Sequence, residues 1–159
     1  MKRIITTAAI ILVHINASAQ VYGGISVGNK SAEVQIGFVN EDGVEIKVFH
    51  KHPYTSTIEP RINGVTFGKQ FTLIENQENE GNNLYILPSI GYGYCMTKTT
   101  INDPKSLENG DLKSDNSFAP IIGLELAKDI YAGRLFTSYN YCKTWYFGVG
   151  IKCFISKLK

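Results

Sequence analysis

The sequence predicts an all-β chain, an eight-stranded antiparallel up-and-down transmembrane β-barrel. Three observations carry that expectation. Apolar and polar residues alternate with period 2 through eight segments. In each segment one parity is apolar and the other mixes glycine, small polar groups and single charges, as in a wall with lipid on one side and a narrow interior on the other. Nothing after Ala19 approaches the roughly 20 apolar residues of a membrane helix, so a membrane would have to be crossed by strands.

The segments run in order as follows. Val21 to Gly28 sets Val21, Gly23, Ile25 and Val27 against Tyr22, Gly24, Ser26 and Gly28. Ser31 to Val39 is the cleanest alternation, with Ala32, Val34, Ile36 and Phe38 against Glu33, Gln35 and Gly37. The turn Asn40-Glu41-Asp42-Gly43 supplies a residue that tolerates positive φ, and Val44 to His50 follows. Proline, threonine and serine mark Lys51 to Asn63 as a loop. Gly64 to Ile74 is the fourth strand, where Lys69 shares the apolar face of Val65, Phe67, Phe71 and Leu73. Either its side chain snorkels toward a headgroup or a bulge near Gly68 shifts the register. Glu75 to Asn83 is a polar turn, and Leu84 to Met96 is the fifth strand, in which Pro88 removes one ladder donor. Thr97 to Ser117 is the longest loop. Phe118 to Ala127 is the sixth strand, closed by the turn Lys128-Asp129. The last hairpin, from Ile130 to Ile155, turns at Cys142 to Thr144.

The first 19 residues carry Lys2 and Arg3, an apolar run from Ile4 to Ile15, and Ala17-Ser18-Ala19 before Gln20. This is the pattern of a secretory signal peptide on 1–19, with the barrel domain on 20–159. The run is short for a membrane helix and is broken by two threonines and His14. Without Lys2 and Arg3, 14 basic residues face 14 acidic ones. That balance lacks the basic surface of a nucleic-acid-binding protein, and the length fits one domain.

The charged parity decides between a membrane barrel and a soluble, calycin-like ligand-binding barrel. It carries Glu33, Glu45 and Glu125 with Lys47, Arg134 and Lys152. As the wet surface of a soluble barrel these six charges among many glycines would be a thin coating. Inside a narrow barrel they form a balanced charge network, accompanied by Tyr22, Phe49, Tyr85, Phe136, Tyr146 and Phe154, that fills the interior. With both chain ends on the periplasmic side, loops 51–63 and 97–117 fall outside. Tyr92, Tyr94, Phe118, Tyr139, Tyr141, Trp145 and Phe147 then collect at the outer ends of their strands as an aromatic girdle.

Through SAEVQIGFV, LYILPSIGYGY and TWYFGVGIKCFI the chain resembles the small eight-stranded outer-membrane proteins of Gram-negative bacteria, the adhesin-like and structural barrels of about this size. The resemblance implies residence in the cell outer membrane and contact with its lipid and lipopolysaccharide. It also implies recognition by the barrel-insertion machinery and a structural or surface-contact role through the extracellular loops, with no cofactor. A small-solute channel is one alternative. Such families typically end on an aromatic assembly signal, whereas here Phe154 is followed by Ile155 to Lys159.

Another alternative is a lipid-modifying outer-membrane enzyme, which needs a serine, a histidine and a carboxylate at the outer rim. His50, His52, Ser56, Asp103, Ser114 and Asp115 are available, but no spacing marks them as a unit. His50 and His52 lack a nearby third metal ligand, and no catalytic or metal residue is assigned. Gly91-Tyr92-Gly93 and Gly148-Val149-Gly150 are not followed by helices and read as interior glycines. Of three cysteines, Cys153 reads as an apolar filler. Cys95 and Cys142 both fall near one rim, and the sequence does not settle whether they pair.

Overall fold

The computed structural model describes residues 19–54, 60–75, 82–100, 112–130 and 133–157. The predicted loop positions Ser56 and Asp103 and the first 18 residues lie outside them.

Nine hydrogen-bonded strands make one antiparallel sheet: β1 Gln20–Gly28, β2 Ser31–Val39, β3 Val44–Pro53, β4 Arg61–Lys69, β5 Phe71–Ile74, β6 Leu84–Thr100, β7 Leu112–Ile130, β8 Gly133–Cys142 and β9 Thr144–Lys157. Strands consecutive in the chain pair with each other, except β4 and β5, which both pair with β6; β1 also pairs with β9. The sheet therefore closes on itself. β4 and β5 are one stave of the barrel interrupted at Gln70, which brings the count to eight. The first strand begins and the last strand ends at one rim, since Gln20 opposes Lys157; we call it the terminal rim and the opposite one the loop rim.

The interruption has a local cause. Gly68 opposes Ser89 and Phe71 opposes Ile86, so the register is continuous across the gap and the residue facing Lys69 is Pro88. Pro88 keeps its place opposite Leu124 on β7, while the side lacking an N–H faces β4. The Gln70 N–H instead donates to the Gly43 carbonyl at 2.7 Å. Of the two readings of Lys69, the bulge is excluded: Lys69 stays on the outward parity, its Nζ 5.9 Å from the Phe71 ring centroid.

Several predicted boundaries move outward. β3 continues through Lys51 to Pro53 and β4 begins at Arg61, so the Lys51 to Asn63 loop is shorter than its composition implied. β6 runs to Thr100 and β7 starts at Leu112, taking ten residues of Thr97 to Ser117 into the ladder through pairs such as Met96 with Asn116 and Thr97 with Asp115. Lys128 and Asp129 belong to β7 and not to a turn. Polar composition marks these segments as loops, but a ladder bonds through the backbone and accepts polar side chains wherever the barrel wall extends past its apolar band. The short turns behave as their sequences require. Gly43 has φ 77°, with its N–H on the Asn40 carbonyl at 2.9 Å, and Lys143 turns the last hairpin at φ 60°.

Parity sorts the side chains as alternation requires. Tyr22, Gln35, Glu45, Ile62, Cys95 and Lys152 are at most 2 % exposed. Ile25, Ile36, Val48, Ile90 and Ile122 on the other parity are more than half exposed.

Candidate functional site: the charged interior and the outward face

Charged groups inside a barrel with no bulk water must find partners on other strands. Near the terminal rim, Lys152 of β9 lies between two acids, its Nζ 2.5 Å from Glu125 Oε1 of β7 and 3.2 Å from each Glu45 carboxylate oxygen of β3. The Tyr22 hydroxyl donates to Glu45 Oε1 at 2.6 Å, and Lys47 Nζ stands 3.8 Å from Glu125 Oε2. The ammonium of Lys152 also sits 4.8 Å and 5.2 Å from the ring centroids of Tyr22 and Phe136. This layer draws on five strands of the barrel, and every one of its charges is buried.

A second layer closes the terminal rim itself. Arg134 donates to Asp129 at 2.7 Å and to Gln70 Oε1 at 2.6 Å, and its guanidinium lies 4.2 Å over the Tyr85 ring. Tyr85 in turn donates to the other Asp129 oxygen at 2.7 Å. A third layer lies toward the loop rim, where Lys51 pairs with Glu33 at 3.2 Å and stands 4.3 Å over Tyr146. Beside it Phe49, Ile62, Cys95, Ala119, Ile121, Cys142 and Tyr146 form an apolar cluster. The void between Glu33, Lys51, Ser138 and Tyr146 measures about 10 Å³, which is room for about one water molecule.

The six charged residues singled out from the sequence are all buried, but they divide among these layers. Glu45, Lys47, Glu125 and Lys152 meet, whereas Glu33 and Arg134 pair elsewhere. Their partners, Lys51 and Asp129, lie in segments whose composition reads as a loop and a turn. Parity could have found Lys51, two positions beyond Phe49 on the same face. Asp129 follows from the turn: with the hairpin turning between Ile130 and Gly133, Asp129 stands directly opposite Arg134, a local opposite-charge pair that the turn placed at Lys128-Asp129 hides. Tyr22, Phe49, Tyr85, Phe136 and Tyr146 are buried, and Phe154 is half-buried.

Close packing here depends on glycine. A Cβ at Gly64 would stand 2.5 Å from Phe49 Cζ and 2.9 Å from Ile121 Cδ1. Gly64→Ala is therefore expected to destabilise the barrel by about 1 to 3 kcal/mol through overpacking. A urea titration of folded and unfolded bands on a gel measures it.

On the outward face, Tyr92, Phe118, Tyr139, Tyr141, Trp145 and Phe147 are exposed and Tyr94 is half-exposed. They form contacts across the ladder: Tyr139 stacks on Trp145 at 4.6 Å, Tyr141 meets the same indole at 4.9 Å, and Tyr94 meets Phe118 at 5.1 Å. All seven stand on β6 to β9. On β3 and β4 the corresponding positions near the loop rim are His50, His52, Arg61 and Asn63, with the His50 ring hydrogen-bonded to Asn63 at 2.7 Å. Asp115 is exposed on β7, and no group of three metal-ligating side chains occurs among the described residues.

A closed, right-sized barrel with charges inside and aliphatic residues outside invites comparison with solved structures. The N-terminal β-barrel domain of Pseudomonas aeruginosa OprF aligns with a TM-score of 0.56 and 12% identity, covering 87% of this chain and 98% of that one. It has the fold of the small outer-membrane barrels. A de novo designed transmembrane β-barrel aligns with a TM-score of 0.51 and 12% identity, over 87% of this chain and 96% of the design. No protein-family model matches the sequence, and comparison with curated proteins finds no relative. At these identities the likeness is one of fold.

Proposed function

We propose that the chain is an integral outer-membrane barrel, exported by its first 19 residues, whose interior is closed to solutes. In this reading it acts as a structural or surface-contact protein through the connections at its loop rim. One observation carries the reading: the barrel is apolar outside and charged inside. Twenty-four large apolar side chains are exposed on the described residues, while Glu33, Glu45, Lys47, Lys51, Glu125, Arg134 and Lys152 are buried. A soluble ligand-binding barrel requires the opposite arrangement. In water such a surface would associate; in a bilayer it is the solvated face. The outward face also carries an apolar concavity of about 650 Å³ between β1, β9, β8 and β7, lined by Ile25, Val27, Leu126, Leu135 and Val149, which acyl chains would fill.

The closed interior separates this reading from a small-solute channel. Three successive layers of paired charges and rings occupy the lumen, as the narrow bore of an eight-stranded barrel permits. Detergent-solubilised protein is expected to migrate differently on a gel before and after boiling and to stay with the membrane fraction at alkaline pH. Purified protein in a planar bilayer is expected to show no steady conductance. Recovery as a soluble periplasmic monomer would overturn the membrane reading, and a steady, solute-selective conductance would replace the closed barrel with a channel.

A further inference from the structure

Cys95 and Cys142 stand on β6 and β8, with β7 between them, and both thiols are buried in the interior. Their sulfur atoms are 3.6 Å apart. Strands two apart in a flat sheet are separated by roughly 9.5 Å, so side chains on them do not ordinarily touch. Barrel curvature turns inward side chains toward one another. Gly93, inward on β6 two residues before Cys95, lets Ile62 and Ile121 pack close: a Cβ there would lie 2.8 Å from Ile62 Cγ2 and 3.0 Å from Ile121 Cδ1, and at ordinary contact distance, 3.6 Å, from Cys142 Sγ. Cys142 is the last residue of β8, next to the left-handed Lys143, at the end of a hairpin with fewer ladder constraints than a strand centre.

We propose that Cys95 and Cys142 are the site of an intramolecular disulfide that staples β6 to β8 across β7 near the loop rim. Three cysteines allow three pairings. Cys153 is exposed on the outward face, so the wall of the barrel separates it from the other two and one pairing remains. The sulfurs must approach from 3.6 Å to about 2.0 Å; because the two cysteines stand on strands that are not adjacent, the hairpin end carrying Cys142 moves toward β6 as the bond forms. The oxidant is the disulfide of an exported thiol–disulfide exchange protein or a small disulfide such as oxidised glutathione. One cysteine thiolate attacks that disulfide, forming a mixed disulfide and releasing one donor sulfur as a thiol. The second cysteine thiolate then attacks the first cysteine's sulfur and releases the other. Two chain thiols become one disulfide, and the donor disulfide becomes two thiols that carry the two protons. The supply of oxidant rests on the export proposed above; the juxtaposition of the thiols does not.

The test is a thiol count. The full chain is expressed with its leader in a Gram-negative host, isolated from the membrane fraction under acid quench, denatured in N-ethylmaleimide and weighed intact. One maleimide, on Cys153, is expected, rising to three after reduction, with a linked peptide pair containing Cys95 and Cys142. Three maleimides before reduction, or a linked peptide containing Cys153, would overturn the staple while leaving the membrane reading standing. If the chain is instead recovered in the cytoplasm, the export reading fails and the staple is judged on detergent-refolded protein exposed to oxidised glutathione. There the Cys95–Cys142 linkage sustains it and three free thiols overturn it.

Discussion

Replacing Lys152 with alanine is expected to destabilise the barrel by about 3 to 5 kcal/mol, the cost of leaving buried charge uncompensated. Its Nζ is the shared partner of Glu45 and Glu125, and its side chain is fully buried. The variant leaves two carboxylates facing each other with Lys47 as the nearest remaining cation, 3.8 Å from Glu125. The loss is read as a lower urea midpoint in the gel titration of folded and unfolded bands. A triple variant, Lys152→Met with Glu45→Gln and Glu125→Gln, removes the charges together and is expected to recover most of the loss, because a buried ion pair contributes little net stability over neutral groups of similar size. A loss below about 1 kcal/mol in Lys152→Ala would mean that water solvates the acids and that the interior is wet. Arg134→Ala is expected to cost less than Lys152→Ala. The side chain of its partner Asp129 is 17% exposed and keeps the Tyr85 hydroxyl as a donor.

The second large effect is expected on the outward face. Ile36→Arg on β2 and Val149→Arg on β9 should each cost about 2 to 4 kcal/mol, the penalty for arginine at the midplane of a lipid-facing strand. Both residues point outward, Ile36 56% and Val149 45% exposed, and each has an aliphatic cross-strand neighbour: Ile36 opposes Val48, and Val149 opposes Val27. Gln35→Ser, one residue away but inward, is expected to leave the urea midpoint nearly unchanged, since neither atom of the Gln35 amide bonds to another described residue. The comparison uses folding into lipid vesicles with the gel shift as readout. Neutral arginines together with a failed Gln35→Ser would reverse inside and outside and restore the soluble, ligand-binding reading.

These variants were legible in the sequence to different degrees. Ile36 and Gln35 differ by one position in an unbroken alternation, so their opposite faces follow from period 2 alone. Lys152 was legible as an interior charge, but its two acids lie 27 and 107 residues away in the chain, and nothing local links them. The loop boundaries were misplaced for a related reason. Lys51 and Asp129 have polar neighbours that read as turns, whereas each is held in a ladder by backbone bonds that composition does not report.

By itself the sequence determined which side of the wall each residue occupies, the number of staves and the place of the tight turns at Gly43 and Lys143. These depend on the two-residue repeat of a strand and on local φ preferences. Which inward groups meet was decided only by the tertiary structure. Closing β1 onto β9 brings Glu45 of β3 to Lys152, while the registers from β7 to β9 bring Glu125 to the same ammonium. Barrel curvature brings Cys142 of β8 to Cys95 of β6, and Arg134 meets Asp129 directly across the β7–β8 hairpin. A shift of the β1–β9 register by two residues would keep every side chain on its own face and part Lys152 from Glu45.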